Sequence, residues 1–389
     1  MERIKVALIT REWPPHVYGG AGVHVVQLAH ALEKKQAIEL SVHCFGEKRN
    51  DANAYSANSA LSAFQDINPA LQAIATDLLI ANALADVQLV HSHTWYANMA
   101  GYLASKMYGI PHVMSAHSLE PLRPWKADQL GAGYQISSWA ERTAIESASA
   151  VIAVSNGMRV DVLAAYPNIE PDKVITIRNG VDTDKFFPHI DPSVMSKYGV
   201  SGKYALFVGR ITRQKGLAHL LRAWREVPAE YGLVLAAGSP DEPRIGQEVG
   251  DLIAELQATR KNVWWIEKML PHEELTVLLT SAELFLCPSI YEPLGIVNLE
   301  AMGCATAVLA SAVGGIPEVV SDGITGELVT YSPDHKKFED DFRDAIIRLM
   351  AQPELLAKYG SMGRKRAQQE FGWDAVATAT VNLYARLVK

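Results

Sequence analysis

Two carboxylates frame a predicted anion-binding turn within residues 289–304. A helical pattern begins at Ile296, directly after Gly295, and the free backbone N–H groups at such a helix start bind phosphate well. Glu292 precedes this helix and Glu300 lies about one turn inside it. Because carboxylates accept hydrogen bonds from sugar hydroxyls, the spacing predicts a nucleotide sugar. Glu300 would bind the ribose diol and Glu292 the second sugar.

Cationic and imidazole side chains follow other predicted strands. Arg210 comes after a strand predicted at 205–208, and Lys215 stands five residues later, before a predicted helix. Arg binds phosphate through two parallel N–H groups, and Lys adds a mobile positive charge, so the pair could neutralise a departing diphosphate. The alternative is that both side chains are solvated at the start of a helix. His117 ends another predicted strand. It could contact a sugar hydroxyl or the reacting centre, or it could be a structural histidine.

A glycine-rich turn follows the first predicted strand, residues 4–9. Gly19 and Gly20 open a helix here, and a strand, a glycine turn and a helix in this order can bind phosphate. The alternative is close packing of the helix on the strand. The predicted apolar side of the helix contains Val23, Val26, Leu28 and Leu32.

The sequence predicts neither a metal site nor a cofactor. His91 and His93 flank one residue of a predicted strand, so they would face opposite sides and make poor joint ligands. Asp182 and Asp184 resemble a metal-binding acidic pair, but they follow an Asn-Gly dipeptide and are expected to form a turn.

Composition limits the partners and the compartment. The net charge of −7 disfavours nucleic acid and anionic membranes as partners. The three widely spaced cysteines indicate a reducing compartment. The first residues enter a strand pattern without a signal peptide, and no apolar run approaches a membrane span, so we expect a cytoplasmic protein. A homodimer is one possible assembly of the chain.

Strand and helix patterns alternate twice along the 389 residues. This alternation predicts an α/β protein with two Rossmann-like, doubly wound domains that face each other across a deep cleft. We expect an acceptor-binding domain at 1–185 and a nucleotide-sugar domain at 186–370. A last helix, at 371–389, would pack back on the first domain. Residues 184–202 are predicted to be an irregular linker, and residues 47–66 a surface loop.

Several short motifs together resemble the retaining glycosyltransferases of the GT-B fold. Singly they are modest, but jointly and in this order they are specific, and they cover essentially the whole chain. They are Arg-Glu-Trp-Pro-Pro with Gly19-Gly20, Val-Gly-Arg210 with Lys215-Gly, Asn179-Gly-Val-Asp182, Glu292-Pro-Leu-Gly with Glu300, Gly314-Gly-Ile-Pro-Glu318 and Asp322-Gly-Ile-Thr-Gly326.

The segment from His117 to Tyr134 narrows this resemblance. It is similar to the short actinobacterial glycogen synthases that act as α-maltose-1-phosphate synthases. The longer bacterial glycogen and starch synthases have a lysine two positions before the first glycine of the Gly-Gly turn. Here that position is Val17, and the extra length of those enzymes is missing.

The resemblance implies roles at matching positions. Arg210 and Lys215 would bind the donor diphosphate with the backbone of Gly19 and Gly20, and Glu300 the ribose. Glu292, with the backbone amides of Gly295 and Ile296, would bind the donor glucose, and His117 would lie near the reacting sugar. The base would meet the backbone around Met269. The catalytic set would thus be Glu292, His117, Arg210 and Lys215, acting without a metal.

The expected reaction is transfer of glucose from a nucleotide donor with retention of configuration. The resemblance implies ADP-glucose, while UDP- and GDP-glucose stay open. Arg123, Lys126 and Arg142 could anchor the phosphate of glucose 1-phosphate, which would give α-maltose 1-phosphate for α-glucan synthesis; alternatively they are solvated. The alternatives are a glycogen synthase that elongates an α-1,4-glucan primer, and a non-transferring nucleotide-sugar-binding protein or an epimerase.

Overall fold

The computed structural model describes residues 3–17, 19–57, 67–127 and 131–388. Contacts divide the chain into two units. The first contains Met1–Asn179 together with Trp373–Lys389, and the second contains Gly180–Gly372.

The first unit contains a parallel sheet of seven strands in the order β3-β2-β1-β4-β5-β6-β7. Its strands are β1 (Ile4–Thr10), β2 (Ile38–Phe45), β3 (Asn53–Tyr55), β4 (Leu89–His93), β5 (His112–Ala116), β6 (Ala150–Ala153) and β7 (Val174–Thr176). Its described α-helices are α1 (Gly20–Glu33), α2 (Pro69–Asn82), α3 (Trp95–Tyr108), α4 (Gly133–Ser147), α5 (Asn156–Ala165) and the last helix of the chain, α14 (Trp373–Leu387).

The second unit contains a parallel sheet of six strands in the order β10-β9-β8-β11-β12-β13. The strands are β8 (Tyr204–Ile211), β9 (Gly232–Pro240), β10 (Val263–Ile266), β11 (Leu284–Cys287), β12 (Ala307–Ser311) and β13 (Gly326–Val329). The helices are α6 (Pro192–Lys197), α7 (Leu217–Trp224), α8 (Pro243–Thr259), α9 (His272–Ser281), α10 (Ile296–Gly303), α11 (Ile316–Val319), α12 (His335–Met350) and α13 (Pro353–Glu370).

Apolar side chains on both faces of each sheet form the cores. In the first unit, Val25 and Leu28 of α1 share a core with Leu383 and Tyr384 of α14, all of them buried. The contact between α1 and α14 places the last helix in the first unit.

The strand order reverses once in each sheet. In the first unit β4 joins the free edge of β1, and in the second β11 joins β8. Loops that leave the carboxyl ends of two such strands run in opposite directions and open a crevice, where ligands of doubly wound sheets bind. The turn at Gly19 follows β1, whereas Lys215 and Glu292 follow β8 and β11.

Three local predictions were wrong. The predicted linker contains helix α6, whose first turn is capped by the Asp191 side chain. The predicted surface loop at 47–66 contains strand β3, because residues 53–55 pair with β2; its residues 58–66 lie outside the described chain. Arg210 lies within β8, because that strand continues to Ile211.

The predicted apolar side of α1 is confirmed at Leu28 and Leu32, which are buried, and at Val26, which packs against the same core. Val23 is the exception at 39% exposure, whereas His24 and Val25 are buried. The buried face therefore extends to the imidazole of His24, which the predicted apolar side did not include.

Candidate functional site

A lysine and a carboxylate meet at the point where the second sheet reverses its order. Lys215 Nζ donates to Glu292 Oε2 at 2.7 Å, across 77 residues of sequence. A backbone hydrogen bond of 2.8 Å from Ile290 N to Gln214 O holds the two loops together. Both side chains of the pair are largely buried, at 19% and 9% exposure. The fold thus brings together two residues that the sequence assigned to one ligand.

The neighbours of Lys215 determine its charge. Burial opposes the positive charge, yet the adjacent Glu292 carboxylate holds the pKa of Lys215 above the ordinary lysine value. Arg210 lies near enough to act on the same pKa in the lowering direction. Arg210 itself donates to Asp241 at 2.6 Å and is 40% exposed. Two cations therefore lie near each other, and each has a carboxylate partner.

Glu300 lies inside helix α10, as predicted. Burial raises the pKa of Glu300 to about 8, and the charge of Lys215 counters this shift only in part. A carboxyl group in this state is largely protonated at neutral pH. It can donate one hydrogen bond and accept others, which matches a diol with its two hydroxyls.

Backbone geometry shapes the start of α10. Gly295 has a φ of +97°, and a Cβ at this position would lie 2.5 Å from the Asn298 side-chain nitrogen. Gly314 has a φ of +52°, and a Cβ there would lie 2.0 Å from the carbonyl oxygen of Glu292. Gly315 N donates to that same oxygen at 3.0 Å. Close approach of the 314–315 loop therefore holds Glu292 in place.

The predicted base-binding segment follows strand β10. The side chain of Met269 is 66% exposed, and its backbone nitrogen lies 3.9 Å from where a Cβ of Gly238 would stand. The backbone of this segment thus approaches the carboxyl end of β9, which adjoins β8.

In the first unit, a carboxylate occupies the glycine turn. Gly19 N donates to Glu12 Oε2 at 2.9 Å, and a Cβ on Gly22 would lie 2.4 Å from the same oxygen. The turn therefore binds an oxyanion within its own chain. Glu12 was not among the site residues predicted from the sequence. The feature that could have indicated it is an acidic residue shortly before a glycine turn, within Arg-Glu-Trp-Pro-Pro.

His117 belongs to a group of packed imidazoles. Its Nε2 lies 3.0 Å from Nδ1 of His93, at the end of the neighbouring strand. Burial lowers the pKa of His117 to about 4, so the ring is neutral at physiological pH. Such a ring acts through a hydrogen bond, as the prediction for a sugar hydroxyl requires. His24, which the sequence analysis missed, lies beside His117 with ring centroids 4.6 Å apart.

The segment after His117 carries two of the three predicted acceptor cations. Arg123 donates to the buried Glu120 carboxylate at 2.5 Å, and Lys126 Nζ lies 3.6 Å from the same oxygen. The Nε of Arg123 is buried without a hydrogen-bond partner among the described residues. Burial and the charge of Arg123 lower the pKa of Lys126 to about 8. Arg142 lies apart from them on the exposed side of α4.

One further carboxyl lies beneath these cations. Burial and the charge of Glu120 raise the pKa of Glu141 to about 7, and Tyr166 donates to its Oε1 at 2.5 Å. Glu141 is therefore partly neutral near pH 7. Arg123 and Lys126 share the Glu120 carboxylate, and with Glu141 partly neutral the surplus of positive charge suits an anionic group.

Asp182 has the structural role that the sequence predicted. Its Oδ1 accepts hydrogen bonds from the backbone nitrogens of Asp184 and Lys185 at 3.1 and 3.3 Å. The side chain thus stabilises a turn at the start of the second unit. The cysteines Cys44, Cys287 and Cys304 are free thiols. No helix among the described residues has the length and apolarity needed to cross a membrane.

Two parallel, doubly wound units with paired carboxylates and cations at a strand-order reversal define an α/β enzyme of the GT-B type. The Glycosyltransferase Family 4 model matches residues 18–185, and the Glycosyl transferases group 1 model matches residues 197–366.

Similar proteins narrow this class. The α-maltose-1-phosphate synthase of Mycolicibacterium smegmatis is 50% identical, over 99% of this chain and 100% of its own. Two solved structures share the fold over 99% of this chain. They are a sucrose-phosphate synthase from Thermosynechococcus elongatus (TM-score 0.81, 24% identity, 99% of that chain) and Anabaena HepE in complex with UDP and glucose (TM-score 0.79, 20% identity, 100% of that chain). The chain therefore belongs to the glycosyltransferase family that includes the α-maltose-1-phosphate synthases.

Proposed function

We propose that this glycosyltransferase moves glucose from a nucleotide donor, preferably ADP-glucose, to glucose 1-phosphate. The product is α-maltose 1-phosphate, with retention of the α configuration. The observation that carries the acceptor choice is the surplus of positive charge where Arg123 and Lys126 share Glu120. A neutral glucan primer needs stacking surfaces and an open groove, whereas a sugar phosphate needs a buried cation. The likeness to the M. smegmatis synthase supports the same choice.

The donor site is proposed at the strand-order reversal of the second unit. Arg210 and Lys215 would bind the diphosphate. Lys215 pairs with Glu292 in the free protein, so binding would exchange the Glu292 carboxylate for a phosphate oxygen. The carboxylate would then be free to accept from the hydroxyls of the donor glucose.

The rest of the donor site follows the resemblance. The amides at Gly295 and Ile296 would complete the glucose contacts, and Glu300 would bind the ribose. The base would meet the backbone at Met269. Because the side chain of Met269 is exposed, the preference among ADP-, UDP- and GDP-glucose rests on backbone contacts.

The proposed reaction breaks the bond between C1 and the diphosphate oxygen on one face of the sugar. Preorganised cations stabilise the charge that develops on the leaving group, by about 2.7–4 kcal/mol for one well-placed group. The departing phosphate accepts the proton of the acceptor hydroxyl, which then attacks C1 from the same face. His117, as a neutral ring, would bind a hydroxyl of the reacting glucose.

The test measures release of nucleoside diphosphate with glucose 1-phosphate, with glycogen and with no acceptor, in competition among the three donors. We expect release to need acceptor and to be fastest with ADP-glucose and glucose 1-phosphate. Lys126→Ala should raise KM for glucose 1-phosphate about ten- to hundred-fold, from the loss of one charge-assisted contact of roughly 1.5–3 kcal/mol.

Controls separate this role from a general loss of charge. Lys173→Ala removes a half-exposed lysine of the same unit, paired with Glu170, and should leave KM unchanged. Arg142 is the third cation proposed to contact the acceptor phosphate, so Arg142→Ala should also raise KM for glucose 1-phosphate. Faster transfer to glycogen than to glucose 1-phosphate would contradict the proposal and favour glucan elongation. Donor isomerisation without release would indicate an epimerase.

A further inference from the structure

Three histidines from separate elements converge in the first unit. His24 comes from α1, His93 ends β4, and His117 follows β5. One ring nitrogen from each lies within 4.8 Å of the others, and this is the one such group of three among the residues that the structure describes. His24 and His93 are 3% and 0% exposed. The prediction that His91 and His93 face opposite sides of their strand was wrong, because residues two positions apart on a strand share a face, and the two ring centroids lie 4.2 Å apart.

Among the described residues, three of the six ring nitrogens in this group lack hydrogen bonds, whereas His93 Nδ1 and His117 Nε2 lie 3.0 Å apart. Both ring nitrogens of His24 and Nε2 of His93 are buried without a hydrogen-bond partner among the described residues. A buried polar atom left in this state costs about 1–3 kcal/mol. Buried nitrogens without partners need an explanation, and an ion that binds one nitrogen from each ring provides one.

The spacing of the rings matches a tetrahedral ion. Zinc binds imidazole nitrogen at about 2.0–2.1 Å in tetrahedral geometry, which places ring centroids about 3.2 Å from the metal and about 5.2 Å from each other. The observed centroid separations are 4.6 Å for His24–His117, 5.3 Å for His93–His117 and 5.6 Å for His24–His93. One of these separations is shorter than the expected value of about 5.2 Å and two are longer.

The surroundings preorganise the group. His91 is not available as a ligand, because its Nδ1 lies 2.6 Å from the Tyr384 hydroxyl and its Nε2 lies 2.8 Å from that of Ser115. Its ring instead packs on His93, with centroids 4.2 Å apart. Thr94, directly after His93, has a φ of +66°. Strained backbone of this kind clusters at binding and catalytic sites.

We propose that His24, His93 and His117 form a tetrahedral site for a divalent transition metal of the zinc type, with the fourth position open to water or a ligand. Imidazole nitrogens are suitable ligands for zinc, copper and nickel, whereas magnesium and calcium prefer oxygen. Burial lowers the pKa of all three histidines, which keeps them in the neutral form that binds metal.

Metal binding has a consequence for transfer that rests on the proposed function. The metal would occupy the lone pair through which His117 is proposed to contact the reacting glucose. Zinc would therefore inhibit transfer, and the metal-free protein would be the active form.

The test uses metal-free full-length protein without a polyhistidine tag. Titration with Co²⁺ should give the visible bands of a tetrahedral complex at one equivalent per chain, and Zn²⁺ should displace it. X-ray absorption of the zinc form should count three imidazoles. His24→Phe and His93→Phe should each weaken zinc binding by ~100-fold or more. His43→Phe is the matched control, because His43 is buried in the same unit and bonds to Ser41 and Tyr55.

The outcomes are distinguishable. Absence of stoichiometric binding to the wild-type protein, fewer than three imidazoles, or equal affinity in His24→Phe and His43→Phe would overturn the site. The absorption measurement needs no variant, so it stays decisive if a variant does not fold. Stoichiometric binding that leaves transfer unaffected would support the site and count against the role proposed for His117.

Discussion

Replacing Lys215 by methionine tests the assignment of the donor site most directly. The change keeps the length and apolar stem of the side chain and removes its charge. At 2.7 Å, the attraction between Lys215 and Glu292 is about 6 kcal/mol at an effective dielectric constant of about 20, before the cost of removing both charges from water. Removing one partner of a buried pair costs about 3–5 kcal/mol, because the other charge is left unpaired. The partial exposure of 19% and 9% places the expected loss of unfolding free energy at or below the lower end of that range.

Activity should fall by a different mechanism. Without the lysine charge on the leaving diphosphate, we expect kcat/KM to drop by about 10²–10³. The double variant Lys215→Met/Glu292→Gln separates the two effects. It removes the unpaired carboxylate, so it should recover much of the lost stability while transfer stays impaired.

The assays are urea unfolding and acceptor-dependent release of nucleoside diphosphate. Lys337→Met is the matched control, since Lys337 and Asp341 form an exposed pair at 62% and 43% exposure that should contribute little to stability. Wild-type kcat/KM in Lys215→Met would refute the assignment. A double variant no more stable than the single one would refute the reasoning about the unpaired charge.

Three further perturbations probe the same sites. Because the pKa of Glu300 is raised to about 8 in the fold, the unfolded chain loses this proton more easily, so stability should fall as pH rises from about 4.5 to 8; Glu300→Gln should abolish this contribution in urea unfolding at several pH values. Gly314→Ala should displace Glu292 and lower kcat/KM at least ten-fold, roughly 1.4 kcal/mol, whereas Gly323→Ala, with φ +69° and nothing within 4 Å of its Cβ, should affect stability alone. KM for glucose 1-phosphate should rise above pH 8 as Lys126 loses its proton, and Lys126→Arg should move that rise to higher pH in initial-rate profiles; a rise at the same pH in both proteins would rule out Lys126.

Local patterns in the sequence were sufficient for most of the fold. The alternation of apolar runs and helical periodicity predicted two parallel, doubly wound halves, and the last helix, predicted within 371–389, spans Trp373–Leu387. The start of a helix after Gly295 was also predictable, because a glycine after a strand followed by a helical pattern depends on adjacent residues alone. The site roles assigned to Glu292 and Glu300 stay predictions that the experiments above address.

Tertiary structure decided which side chains meet. The sequence assigned Lys215 and Glu292 to one ligand, but only the pairing of β8 with β11 places them 2.7 Å apart. On α1 the sequence favoured Val23 for the buried face, but Val25 is equally apolar and is the one that packs in the core shared with α14. The same packing places His24 beside His117. Contacts between residues distant in the chain depend on strand register and helix rotation. A shift of one residue moves the side chains of a strand to its other face and turns those of a helix by about 100°, so these contacts are determined by the packed core as a whole.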